Sequence, residues 1–184
     1  NYVKDTARYE YGTVKHYEAV SAMYERLKKR FPNVIFENCA SGGGRLDLDI
    51  LRSFNHSWVS DEQKAPMAQY ITNGLSLVLP PERLDRLVSG MGCHAYASLD
   101  AHIRNAMLGH VSINVLNPAA AEYNELQRDF IKHSLDVYKS FIRPMIPTSH
   151  MYHHNEDIPG VRKDGYSALE LASADKTKAA ITVF

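Results

Sequence analysis

Apolar residues recur every three to four positions at Tyr17, Val20, Met23 or Tyr24, and Leu27, which predicts a helix over residues 14–30. Thr13 is its expected cap and residues 9–12 the loop before it. Lys28, Lys29 and Arg30 suit the negative end of that helix. After Pro32-Asn33, the run Val34-Ile35-Phe36 predicts a short buried strand. A short helix over residues 46–54 and a second strand over residues 56–59 follow. Met67, Tyr70, Ile71, Gly74, Leu75 and Val78 share one helical face within residues 64–79, with Pro66 tolerable only in the first turn and Pro80-Pro81 as the stop. Residues 81–87 are expected as a helical turn, 87–93 as a strand, 99–108 as a helix capped by Ser98, and 110–116 as a strand. Pro118 suits the first turn of a long helix reaching about residue 142, with Tyr123, Leu126, Phe130, Ser134, Leu135 and Tyr138 as its inner stripe. Pro144 and Pro147 end that helical region.

Strand-helix units thus begin at Asn1, Val34, His56, Leu87 and His110. This alternation predicts an α/β fold, a parallel sheet covered by helices. Five units are too few for a closed eight-stranded barrel, which takes roughly 250 residues. An open doubly wound sheet fits the pattern equally well. From His150 the texture changes: residues 150–154 and 157–160 read as loop. Residues 166–172 and 178–184 read as two strands of a hairpin around Ser173-Ala-Asp-Lys-Thr177.

Composition narrows the function classes. Of the 184 residues, 45% are hydrophobic, enough for a sizeable core, and the formal net charge is zero. Neither nucleic acid nor an anionic membrane surface is indicated as a partner, and no apolar run is long enough to span a bilayer. Two cysteines, Cys39 and Cys93, make no disulfide framework. The chain starts at Asn1 and ends in a strand-like Thr182-Val-Phe184, which reads as a fragment and leaves the compartment open. His150, His153 and His154 cluster without a matching cysteine or Glu-x-x-His helix, so no metal site is expected there.

The chemistry concentrates between Val34 and Asp61. Two successive strand-like runs end in polar tips, the first in Cys39-Ala-Ser-Gly-Gly-Gly-Arg45 and the second in Trp58-Val-Ser-Asp61. Parallel strands carry active sites at such C-terminal ends. Three glycines tolerate positive φ and close approach to the backbone, but a tight turn without chemistry needs the same. The stretch lacks both Gly-x-x-x-x-Gly-Lys-Ser/Thr and Gly-x-Gly-x-x-Gly, so it is not a phosphate loop. Gly90-Met-Gly-Cys-His94 repeats the theme of a glycine-rich strand end.

Cys39 to Arg45, with Asp47 and then Trp58-Val-Ser-Asp61, resembles the signature of the α-galactosidases of glycoside hydrolase family 36. The resemblance is specific over residues 17–61 and looser downstream. It implies that residues 1–149 are the fourth to eighth strands of a (β/α)8 catalytic barrel and that residues 150–184 open a C-terminal β-sandwich domain. It also implies a retaining hydrolase for terminal α-galactosides that needs no cofactor, and it leaves homo-oligomerisation of the complete enzyme open. Such a mechanism uses two carboxylates about 5 to 5.5 Å apart. By motif, Asp61 is the general acid/base and Asp5 the nucleophile. Cys39 and Gly42 would line the sugar site. Lys4, Arg45, Trp58 and His94 are further candidates for substrate contact, each with a structural alternative: Arg45 pairing with Asp47 or Asp49, Trp58 in the barrel wall, His94 as a satisfied polar group. Two departures stand out. Lys4 adjoins Asp5 directly where many members have Lys-Trp-Asp, so the two side chains should point to opposite faces. Lys64 occupies a position that is often acidic in the family. The alternatives are an α-N-acetylgalactosaminidase of the same fold and a sugar-binding protein with a decayed site.

Overall fold

The computed structural model describes residues 6–65, 67–88, 97–113, 123–154 and 166–184. Two sheets organise it. The first holds four parallel strands in the order β1 (Glu37–Asn38), β2 (His56–Trp58), β3 (Leu84–Val88) and β4 (His110–Ile113). Helices fill the crossovers: α1 (Thr6–Arg30) precedes β1, α2 (Leu48–Ser53) lies between β1 and β2, α3 (Met67–Leu75) between β2 and β3, and α4 (Leu99–Met107) between β3 and β4. After β4 come α5 (Glu125–Val137), a π-helical turn (Tyr138–Ile142) and α6 (Arg143–Met145). The second sheet is antiparallel, with three strands in the order β5 (His150–His153), β6 (Ala168–Ala172) and β7 (Ala179–Val183). The strand expected at Asn1 lies outside the described residues.

Local chemistry explains most boundaries. Asp47 caps α2 by accepting from the Ile50 backbone N–H at 2.9 Å. Ser98 caps α4 by accepting from the Ala101 N–H. Asn124 and Gln127 form a reciprocal capping box at the start of α5.

Several expectations are corrected. Helix α1 begins at Thr6, so residues 9–12 are helical. A lone Gly12 costs only about 1 kcal/mol in a helix, too little to stop it. Val34 and Ile35 are 50% and 69% exposed and precede the strand, which pairs with β2 only at Glu37 and Asn38. Ahead of that pairing the chain is held by Asn55, whose Oδ1 accepts from the Phe36 N–H and whose N–H donates to the Phe36 carbonyl. Strand β3 starts at Leu84, three residues early, straight after a 3-10 turn at Pro81–Arg83. The helical run carries through Pro144 to Met145, directly after the π-helical turn Tyr138–Ile142. Its stripe also differs: Leu126 is exposed, while Tyr123, Ile131, Ser134 and Tyr138 are buried. Residues 150–153, read as loop, are strand β5.

Helix α3 keeps part of its expected face, with Ile71 and Leu75 packed against the Val59, Leu79 and Leu84 cluster, and adds a polar one. Met67 and Val78 are exposed, and the buried residues are Ala68, Gln69, Thr72 and Asn73. That polar face meets the second sheet: the Asn73 amide donates to Ser167 Oγ at 3.1 Å, and Ser76 Oγ bonds His153 Nε2 at 2.9 Å. An apolar cluster also bridges the two sheets, with Leu108, Tyr138, Ile142, Met145 and Ile146 on one side and Leu169 and Leu171 on the other.

Alternation along the parallel strands separates two faces. Leu84, Arg86, Val88, Val111 and Ile113 alternate onto the helix-covered face, where Val88, Val111 and Ile113 pack with Ile103 and Ala106 of α4. Glu37, His56, Trp58, Asp85, His110 and Ser112 share the other.

Candidate active site

Strand β2 ends at Trp58, and three residues later the chain presents Asp61, at a bend beyond its C-terminal end. The Trp58 indole Nε1–H donates to Asp61 Oδ1 at 3.0 Å. Trp58 is therefore not sealed in the wall: it is half-buried and holds a carboxylate. The turn after β1 closes on the same carboxylate. Ser41, Gly42 and Gly43 all have positive φ, at 51°, 59° and 92°. The Gly44 N–H donates to the Ala40 carbonyl at 2.9 Å to close that turn. A Cβ on Gly42 would lie 2.5 Å from Asp61 Oδ2, and one on Gly43 would lie 2.7 Å from the Val59 carbonyl carbon. The turn can lie against β2 only because both positions lack side chains.

Cys39 is a free, exposed thiol on the same rim. Partial burial pushes its pKa up, and the charges of Glu37 and Asp61 push the same way. It is thus held as a neutral thiol, a polar but uncharged wall. Arg45 is exposed, and its carbonyl accepts from the buried Asn38 amide at 2.7 Å, which ties the end of the glycine turn to β1. The pairing considered for Arg45 is not the arrangement found for either aspartate: Asp47 caps α2, and Asp49 lies 3.8 Å from Arg52. Asp5, Lys4 and His94 lie outside the described residues. His153 and His154, from the histidine cluster, bond Ser76 and Glu170.

A second polar group, not singled out from sequence, lies on the same face of the sheet as Trp58, at the first or second residue of each strand. His56 Nε2 is 3.0 Å from Glu37 Oε2 and 3.4 Å from Asp85 Oδ2. The His110 ring stacks on His56 with centroids 4.4 Å apart. Ser112 donates to Asp85 Oδ1 at 2.6 Å. Burial pushes the Asp85 carboxyl up, against the lowering effect of the Ser112 bond. The available signal was a polar residue two places before Cys39, Trp58, Leu87 and Ser112 in each strand.

Comparison with known proteins bears on the whole parallel sheet. The melibiase family model matches residues 3–148. An α-galactosidase of Escherichia coli is 36% identical over 106 residues, which is 56% of this chain and 15% of that protein. A probable α-galactosidase C of Aspergillus terreus is 32% identical over 154 residues, 76% of this chain and 19% of that protein. A family 36 α-galactosidase of Geobacillus stearothermophilus, solved as a variant in complex with raffinose, superposes with a TM-score of 0.76 at 25% identity, covering 87% of this chain and 22% of that one. The chain spans about a fifth of the length of these relatives. The parallel sheet is accordingly part of a (β/α)8 barrel, with the antiparallel sheet belonging to the β-domain beside it. Because the match runs unbroken from residue 3 to residue 148, across every strand of the parallel sheet and each helix between them, this chain belongs to the melibiase family.

Proposed function

We propose that this chain supplies both catalytic carboxylates of a retaining α-galactosidase, with Asp61 as general acid/base and Asp5 as nucleophile. The observation that carries the reading is the seating of Asp61: one oxygen receives the Trp58 indole N–H, and the other faces the side-chain-free Gly42. A carboxylate fixed in this way at a strand end can protonate a leaving oxygen and then activate water. Asp5, outside the described residues, would attack the anomeric carbon and carry the galactosyl group. Cys39 and Gly42 would form the sugar wall, with Lys4, Arg45 and His94 as further contacts. The substrate class follows from the family and from relatives solved with raffinose and stachyose. Residues 1–149 would be the barrel part and residues 150–184 the β-domain part. An α-N-acetylgalactosaminidase would use the same two carboxylates, and parallel assays on the two nitrophenyl glycosides separate the readings.

The deciding experiment uses the complete enzyme with Asp5→Ala or Asp61→Ala, an activated nitrophenyl α-galactoside and added azide. In the Asp61 variant, azide attacks the β-linked glycosyl-enzyme from the opposite face and gives the α-galactosyl azide. In the Asp5 variant, azide enters the vacated side and gives the β-azide by single displacement. The reverse pattern exchanges the two roles. Full activity in both variants rules out this pair.

A further inference from the structure

We propose that His56, Asp85 and His110, with Glu37 beside His56, form a structural site for a zinc-class divalent cation near the starts of the parallel strands. Four adjacent strands contribute one side chain each. The register sets Glu37 beside His56 and Asp85 beside His110, all on the face of the sheet that carries Trp58.

The spacing suits a small ion. One donor atom each from His56, Asp85 and His110 lies within 4.8 Å of the other two. Tetrahedral coordination with bonds of about 2.0 to 2.1 Å places ligand atoms about 3.3 Å apart. The separations from His56 Nε2, 3.0 Å to Glu37 Oε2 and 3.4 Å to Asp85 Oδ2, bracket that value. The His110 ring stacks on His56 with centroids 4.4 Å apart, and one of its nitrogens lies within 4.8 Å of the His56 and Asp85 donors.

The surroundings suit it too. Asp85 is 1% exposed. Its Oδ1 is occupied by the Ser112 hydroxyl, which orients the carboxylate and leaves Oδ2 toward His56, as outer-shell partners do for metal ligands. Two carboxylates converge on a single His56 N–H. A dication bound there would take the place of that shared proton and neutralise both. Two imidazoles with two carboxylates favour zinc or a similar first-row ion over calcium or magnesium, which take oxygen ligands. Glu37, 3.0 Å from His56 Nε2, is the nearest further donor and would complete a closed four-coordinate site of the structural kind.

The test uses chelator-treated chain, titrated with zinc by calorimetry and with cobalt by visible absorption. One equivalent should bind, cobalt should show the intense bands of four-coordinate geometry, and zinc should raise the melting temperature. His110→Gln should weaken binding at least tenfold, and Ser112→Ala by about 10- to 100-fold. A double variant His153→Gln, His154→Gln should bind as the parent does, which separates this site from the histidine-rich strand. His110→Gln keeps a polar side chain, and circular dichroism verifies that it folds. Failure of zinc or cobalt to saturate, a weak six-coordinate cobalt spectrum, or unchanged affinity in folded His110→Gln each overturns the site.

Discussion

Gly42 sits directly against Asp61: a Cβ placed on Gly42 would be 2.5 Å from Oδ2 and 2.8 Å from the Asp61 backbone nitrogen. Its φ of 59° adds a conformational demand to the steric one. Gly42→Ala should therefore push the carboxylate aside. In the complete enzyme kcat/KM should fall by about 100-fold, the scale of a 1 Å misplacement of a catalytic group. The left-handed backbone adds about 1 to 2 kcal/mol of destabilisation. Steady-state kinetics with a parallel thermal melt checks both, and an alanine variant with full kcat/KM would show that Asp61 does not need this seat.

Trp58 acts on the other oxygen. Trp58→Phe keeps the aromatic bulk and deletes the N–H donor at 3.0 Å from Oδ1. A hydrogen bond to a charged group contributes about 1.5 to 3 kcal/mol, so kcat on natural galactosides should fall about tenfold or more. The loss should shrink with nitrophenyl substrates, whose leaving group needs little protonation. A packing role alone would lower both substrates equally, so the ratio of the two losses is the measurement.

What the sequence made legible follows the physics of each signal. The Ser98 cap and the stop at Pro80-Pro81 were readable because one side chain decides each locally, whereas the expected cap Thr13 lies inside α1 and the Asp47 cap was not read. The Asp61 seat was readable in part, since consecutive glycines announce positive φ, although Trp58 as its donor was not. The buried face of α3 was hidden because Gln69 and Asn73 reach Ser167 beside the antiparallel sheet, Thr72 donates back to the Ala68 carbonyl, and period analysis counts only apolar residues. Strand β5 was hidden for a similar reason: His150 and Tyr152 are exposed, and pairing with β6 rather than burial defines it. The Glu37, His56, Asp85 and His110 row spans four strands, so only the register of the sheet brings it together.

His153 gives the α3 contact a pH dependence. Burial holds its pKa below the ordinary 6.5, with the neighbouring His154 charge acting the same way. Its ring is bonded to Ser76 Oγ at 2.9 Å. A histidine lowered in the folded state leaves the unfolded chain as the better proton acceptor. Its contribution is present above pH 6.5 and is lost as the pH falls through the folded value. Chemical denaturation at about pH 7.5 and about pH 5.5 should show lower stability in acid. His153→Gln, which keeps a partner for Ser76, should narrow that difference, and an equal or larger difference would place the acid sensitivity elsewhere.

The bridge between the two sheets is open to a direct comparison of two leucines. Leu169 is 1% exposed and belongs to the cluster with Leu108, Tyr138, Ile142, Met145, Ile146 and Leu171. Leu126 carries the apolar period of α5 yet is 81% exposed. Leu169→Ala removes buried methyl groups and leaves a cavity between β6 and the helical segment, which should cost about 2 to 5 kcal/mol. Leu126→Ala replaces an exposed residue with the best helix former and should stay within about 0.5 kcal/mol of the parent. If the antiparallel sheet folded independently of the parallel one, Leu169→Ala would lower only one of two melting transitions. The shared cluster instead requires both sheets to lose stability together, seen as coincident shifts in far-ultraviolet dichroism and tryptophan fluorescence, because Trp58 lies in the parallel sheet and Leu169 in the other. A fluorescence transition that stays in place while the dichroism moves would show that the cluster does not couple them.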